Sequence, residues 1–321
     1  MQLEDIRRLI EADYQEYQKT LSNAVVTHDQ YLNEINKFIL SNSGKELRPI
    51  LAILAARVCG SINQLCYEVA AVSQMLHNAT LMHDDVVDEA LTRRGSPTVG
   101  AKFTNGTAVL MGDFWLSRGL LLLSKSFNKE ILVLFATVVE TMAQGELIQL
   151  EKSAKVDTTQ VDYFNIIEAK TSQLFVASMV GGAKAAEAEP SKIEGIKEYA
   201  LHLGNAFQIR DDILDYSPTN IYNKTSGLDI KEKKITLPLL CAFKNNPQKE
   251  QEIRELIRNN KSEVFAPVVL DFVQKNNGIP DAQKILESER DTAIEALSLF
   301  EDGEYKEALV LLAKYVGSRE L

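Results

Sequence analysis

The chain has 321 residues, 45% of them apolar and 25% charged, which excludes a disordered, collagenous or mucin-like chain. Acids outnumber bases 45 to 35, for a formal net charge of −10, whereas a nucleic-acid binder carries a basic surplus. Proline is scarce: Pro49, Pro97 and Pro190 are the only ones before residue 200, which favours long helices.

In chain order, Leu3, Ile6, Ile10 and Tyr14 recur on one helical face. The same periodicity predicts helices over 27–40, 47–58, 62–90, 107–126, 128–152, 159–186 and 191–216. Shorter ones follow over 236–245, 248–259, 262–275, 279–299 and 303–317. No alternating strand of five or more residues stands out. Turn clusters at Ser41–Gly44, Arg94–Pro97 and Ser217–Gly227 separate the helices. None is long enough to divide domains, so the expectation is one all-α domain over residues 1–321. The N-terminus has no apolar signal-peptide core. No run of 18 apolar residues occurs, so no membrane span is expected. Cys59, Cys66 and Cys241 lie in apolar stretches without metal-ligand spacing and read as buried thiols in a reducing cytoplasm.

Two acidic clusters stand out. Asp84-Asp85-Val-Val-Asp88 and Asp211-Asp212-Ile-Leu-Asp215 both read D-D-x-x-D. On a helix the first and third aspartates are i, i+4 and the second and third i, i+3, so three carboxylates share one edge. Like charges at that spacing destabilise a helix, and both clusters fall near the C-terminal end of a predicted helix, where the dipole disfavours negative charge. A solvated acidic face is the plain reading of one copy. Two copies, each ending a long apolar helix, point to a bound cation. Oxygen donors without His or Cys suit a hard ion such as Mg²⁺.

Phosphate bound at such a site needs cations beside it. Lys45 and Arg48 sit before Pro49, which favours the first helical position and places both bases just ahead of the helix. There they suit an anion. Arg93 and Arg94 follow the first cluster in a loop and can grip phosphate in a bidentate way. His77 lies two turns before Asp84 on the same edge. Lys170 falls mid-helix on the face of Ile166 and Leu174, with Thr171 beside it. Lys224 and Lys234 flank a charged loop after the second cluster. Taken singly, Lys170 reads as a snorkelling side chain and the lysine loop as solvated. The Arg93–Arg94 pair favours phosphate over mere charge balance for Asp88 and Glu89. Lys45, Arg48 and His77 read equally as binding groups or as ordinary surface bases and a core histidine.

Together, in order, the segments GKELRP (44–49), HNATLMHDDVVDEALTRRG (77–95), AVLMGD (108–113), QGE (144–146), KT (170–171), GNAFQIRDDILD (204–215) and TLP (236–238) resemble the trans-polyprenyl diphosphate synthases. The resemblance implies a bundle of long helices around a deep central cavity, usually a homodimer, that joins isopentenyl diphosphate to an allylic diphosphate. It implies three Mg²⁺ ions, with Asp84, Asp88 and Asp211 as chief ligands and Asp85, Asp212 and Asp215 in support. Arg93, Lys170, Lys224 and Lys234 would hold the allylic diphosphate. Lys45, Arg48, His77 and Arg94 would hold isopentenyl diphosphate. Thr171 and Gln208 would line the site of the allylic cation, and the proton lost after isopentenyl diphosphate adds to it would go to the departing diphosphate. Asn223 and Lys233 stand where glycine is common in the family, and Glu46 where a base is common.

The resemblance also makes residues before the first cluster the cavity floor. Ala79 and Thr80 are small there, so the cavity should run on past Leu76, Met75 and Val72. At 1.5 Å per helical residue this leaves room for about six to eight isoprene units, a product of roughly 30–50 carbons of the kind used in quinone side chains and passed to membrane enzymes. Phe135 is a candidate for the far floor. The rivals are a class I terpene cyclase, which would usually carry a different second acidic motif, and a non-catalytic subunit of a heteromeric synthase, which would commonly lose its acidic clusters.

Overall fold

The computed structural model describes residues 3–126, 128–216 and 227–317. In chain order the helices are α1 (Leu3–Leu9), α2 (Glu11–Val25), α3 (Gln30–Ser41), α4 (Leu47–Cys59), α5 (Gln64–Val87), α6 (Val99–Lys102), α7 (Asn105–Lys125) and α8 (Lys129–Lys155). Then come α9 (Gln160–Ile167), one π-helical turn (Glu168–Ser172), α10 (Gln173–Ala185), α11 (Pro190–Asp215) and α12 (Leu228–Lys231). Last are α13 (Leu237–Asn245), α14 (Glu250–Asn259), α15 (Ser262–Lys275), α16 (Gly278–Ala296) and α17 (Glu304–Gly317). Among the described residues the only strands are β1 (Thr92–Arg93) and β2 (Ser96–Pro97), paired antiparallel with Arg93 opposite Ser96.

The described residues form two compact units. One takes the chain up to Val139 with Leu174–Glu198 and Leu297–Leu312. The other takes Glu140–Gln173, Tyr199–Ala296 and the residues from Ala313. In the first, α4 is deeply buried, with Pro49 to Ala56 all inside. Side-chain caps set its helix starts: Asn63 accepts from the Cys66 amide at the head of α5, and Thr104 from Thr107 at the head of α7. The buried Trp115 and Asn36 are matched there. Trp115 Nε1 donates to Asn36 Oδ1 (2.9 Å), and Asn36 Nδ2 to the Val25 carbonyl (2.7 Å). In the second unit α13 packs on α15 and α16. Arg254 closes the end of α8 by donating to the Val156 and Thr158 carbonyls.

The predicted helix over 159–186 is one rod only in outline. The π turn splits it, and Gly145 of α8 lies against that turn with no room for a methyl group (a Cβ there would sit 2.7 Å from Ala169 Cβ). α4 also starts earlier than Pro49 suggested. Glu46 is its cap, so Arg48 lies in the first turn rather than ahead of it. The three cysteines are buried and free, and burial pushes the thiols of Cys59 and Cys241 up to about 12 and about 11.

Candidate active site

In the first unit α5 delivers Asp84, Asp85 and Asp88 at its C-terminal end, where the Asp88 amide donates to the Asp84 carbonyl (2.8 Å). The three carboxylates are not equivalent. Asp85 is buried and accepts from Arg93 Nε at 2.7 Å. Burial raises its pKa, and Arg93 opposes the rise. Asp84 is half-buried and Asp88 exposed. His83, between Met82 and Asp84, turns to α7. Its Nε2 lies 3.2 Å from the Val109 carbonyl and 3.4 Å from Asp113 Oδ1.

The hairpin after α5 places the arginine pair. Arg94 and Gly95 both have positive φ (53° and 78°), the conformation a two-residue hairpin turn demands. This swings Arg94 across Gly44, where a Cβ would overlap the guanidinium, and Arg94 Nη1 donates to the Ser43 carbonyl at 3.4 Å. Arg48 stacks over the Phe175 ring of α10, 4.8 Å from its centroid. His77 lies in the field of Arg48, Arg93 and Arg94. Burial first, then these three cations, hold its imidazole well below the usual range. Arg48, Arg93 and Arg94 therefore form one cationic group around a neutral His77, an environment an anion would neutralise.

That geometry has a consequence for acid stability. Above the ordinary histidine pKa of about 6.5, folded and unfolded chains both carry His77 neutral, and it contributes no pH dependence. As pH falls below that value the unfolded chain takes up a proton that the folded one refuses, so stability declines towards the lower folded pKa. His77→Gln is expected to lose this part of the acid limb, by about 1 kcal/mol between pH 7 and 5.5. Urea melts of both proteins at the two pH values check it. Equal acid losses in both would contradict it.

In the second unit, α11 delivers the other cluster. Asp212 is buried, and both its oxygens are taken: Tyr163 Oη donates to Oδ2 at 2.6 Å and Gln208 Nε2 to Oδ1 at 2.8 Å. Burial, then the charge of Asp229, raises its pKa well above the carboxylate range. Thr171 Oγ1 donates to Gln208 Oε1 at 2.7 Å, which completes a chain Thr171–Gln208–Asp212–Tyr163. Asp215 accepts from the amides of Leu228 and Asp229, both at 3.1 Å. The π turn, a form common at functional sites, carries Lys170 and Thr171. Lys170 pairs with Glu146 of α8 at 2.7 Å. Lys234 pairs with Glu232 at 2.6 Å. Lys233, where glycine is common in the resembling family, has φ 61°, a conformation glycine adopts freely. Lys224 and Asn223 lie outside the described residues.

Met75, Leu76 and Ala79 are buried. Leu76, Val72 and Met75 pack around Gly119 of α7, where a Cβ would sit 3.2, 3.5 and 3.7 Å from them. Thr80 Oγ1 donates to the His77 carbonyl at 3.0 Å. Phe135 is buried against Gly181. A surface pocket of about 300 Å³, lined by residues including Gln64, Glu68 and Arg118, lies at the other end of α5 and holds no motif residue.

Sequence reasoning missed Glu146, His83, Asp113 and Tyr163. The first three lie in or beside quoted motifs, which marked the segments and not the partners. Tyr163 has no signal: it is one tyrosine 49 residues from the carboxylate it serves.

The profile of the polyprenyl synthetase family matches residues 29–268. The chain belongs to that family. An all-trans-nonaprenyl-diphosphate synthase (geranyl-diphosphate specific) of Rhodobacter capsulatus is 38% identical over 89% of this chain and 92% of its own. Octaprenyl diphosphate synthase of Escherichia coli is 34% identical over the full length of both. A polyprenyl synthase of Caulobacter crescentus, solved with calcium and isoprenyl diphosphate, superposes with a TM-score of 0.92 at 31% identity, covering 100% of this chain and 98% of that one. The fold is the all-α fold of the polyprenyl synthases, and the chain is a trans-prenyltransferase of their long-chain class.

Proposed function

We propose that the enzyme extends an allylic diphosphate, farnesyl or geranylgeranyl, with isopentenyl diphosphate to an all-trans polyprenyl diphosphate of roughly 30–50 carbons for quinone side chains. The observation that carries this is the pairing, within one unit, of the Asp84/Asp88 edge with the cations Arg48, Arg93 and Arg94 around His77. Heptaprenyl, octaprenyl and nonaprenyl synthases among its relatives support the chain length. Both acidic clusters are complete, which favours a catalytic synthase over a regulatory subunit, and the match along the whole chain favours it over a cyclase.

The donor set fits Mg²⁺: carboxylate oxygens only. Among the described residues no three such side chains converge as a ready-made metal site, which suits an ion that shares its shell with diphosphate and water. Asp84, Asp88 and Asp211 would be the chief ligands of three ions, with Asp85, Asp212 and Asp215 in support. Bound there, the metal offsets the charge that develops on the leaving diphosphate. Lys170, Arg93, Lys224 and Lys234 hold that diphosphate, while Lys45, Arg48, His77 and Arg94 orient isopentenyl diphosphate. Thr171 and Gln208, fixed against each other, line the allylic cation. The proton lost after the new bond forms goes to the departing diphosphate, so no side-chain base is needed.

Incubation with isopentenyl diphosphate, Mg²⁺ and farnesyl, geranyl or geranylgeranyl diphosphate, followed by mass spectrometry, tests the reading. A ladder reaching 30–50 carbons, abolished by EDTA, is expected. An absence of elongation from every starter would sink it. In the same assay Ala79→Phe is expected to end the ladder several units early, and an unchanged product would remove Ala79 from the floor.

We also propose a homodimer. α7 and α8 are long and apolar enough to cross a membrane by length and composition, yet only 33% and 28% of their apolar windows are buried. Leu110 (69% exposed) and Leu147 (67%) are the extremes. A second copy covering these residues accounts for them without a membrane. Light scattering at twice 35.8 kDa supports it, and a monomer refutes it. The family match runs through both compact units, which supports one domain. The buried, unreactive thiols support a cytoplasmic setting.

A further inference from the structure

Two helices outside the matched motifs grip the Lys45–Glu46 turn that leads into α4 and Arg48. From α1, Arg7 Nη2 donates to the Lys45 carbonyl at 2.6 Å. From α2, Tyr14 Oη donates to the Glu46 carboxylate. The Arg7 guanidinium lies over the Tyr14 ring, 5.5 Å from its centroid, so the two holds are one unit. Ile6, Ile10 and Leu21 are buried and anchor α1 and α2 in the same compact unit as the loop.

The loop needs holding. Glu46 has φ 49° and ψ 45°, a left-handed conformation that a side chain other than glycine's adopts only under constraint. It is this turn that separates Lys45 from Arg48 in the first turn of α4. Glu46 is also the residue that departs from the family's common base. A carboxylate one residue from Lys45 and two from Arg48 would compete with an incoming anion for both. Tyr14 takes it up instead. Burial, then Glu46 itself, raises the Tyr14 pKa, so the phenol remains a donor throughout the neutral range.

We propose that Arg7 and Tyr14 are positioning residues for isopentenyl diphosphate: they fix the Lys45–Glu46 turn and hold the Glu46 carboxylate away from the bases that take the diphosphate. This rests on the elongation reading above.

Tyr14→Phe, Glu46→Gln and Arg7→Ala test it by steady-state kinetics. Tyr14→Phe is expected to raise KM for isopentenyl diphosphate about tenfold, with KM for the allylic diphosphate and kcat within twofold. Glu46→Gln keeps an acceptor for the phenol and removes the competing charge, so it should stay near the wild type. Arg7→Ala should follow Tyr14→Phe. Calorimetry with inorganic pyrophosphate in EDTA reads the metal-free anion pocket alone and should show the same tenfold weakening. Unchanged KM values and pyrophosphate affinity in Tyr14→Phe overturn the proposal. So does an equal rise in both KM values, which is the mark of general loosening. If the wild type binds pyrophosphate but elongates no starter, the elongation reading fails, and the pyrophosphate loss in Tyr14→Phe still decides the clamp.

Discussion

Asp84→Asn is expected to lower kcat about 10²–10³-fold while leaving the apo-protein as stable as the wild type or slightly more so. The two effects have one cause. Asp84 and Asp88 stand one turn apart at the C-terminal end of α5, where like charge and the helix dipole both oppose them. Relief of each is worth a few tenths of a kcal/mol. The amide is nearly isosteric with the carboxylate, so packing is kept and only the charge that would neutralise diphosphate is lost. Removing one preorganised electrostatic contact of this kind typically costs 10²–10³ in rate. Asp88→Asn should behave the same way. Asp85→Asn should not: it takes the charge out of the partly buried 2.7 Å pair with Arg93, so it should lower the thermal midpoint along with turnover. Single-turnover rates and thermal melts without Mg²⁺ separate the classes. If Asp84→Asn keeps wild-type turnover, Asp84 is not a ligand.

Much of this was legible in the residue pattern. The apolar run predicting a helix over 62–90 is α5, Gln64–Val87, and the helix predicted over 191–216 is α11, Pro190–Asp215. Both acidic clusters therefore sit where propensity alone would not put them. What was not legible depends on contacts between distant segments. The π turn under Lys170 answers to Gly145, 25 residues before that lysine, so the periodicity of 159–186 reads as unbroken. The hairpin of Thr92–Pro97 is too short to show alternation, and it puts an arginine in a left-handed conformation. The division of labour among the aspartates also escaped the motif. D-D-x-x-D reads as three similar carboxylates, whereas Arg93 and Tyr163 take the middle one of each cluster.

Gly145→Ala is expected to destabilise the protein by about 1–3 kcal/mol, the usual range for overpacking, and to lower kcat/KM for the allylic substrate about 10²-fold. A methyl group at Gly145 would lie 2.7 Å from Ala169 Cβ and 3.3 Å from the Lys170 nitrogen, well inside the 3.5–4.0 Å of a normal carbon contact. The π turn must then retreat from α8 by about 1 Å. That retreat draws Lys170 away from Glu146 (2.7 Å) and Thr171 away from Gln208 (2.7 Å), which in turn holds Asp212 (2.8 Å). A displacement of about 1 Å in a positioned group is worth about 10² in rate. The double variant Gly145→Ala/Ala169→Gly removes the clashing carbon and leaves the 3.3 Å approach to the Lys170 nitrogen as the nearest contact. It should recover most of the activity and most of the stability, because alanine within α8 regains about the 1 kcal/mol of helix propensity that glycine at 169 gives up. Recovery of activity and stability together would identify the fit between α8 and the π turn as what places Lys170 and Thr171. A double variant as impaired as Gly145→Ala alone would show that Gly145 acts by another route.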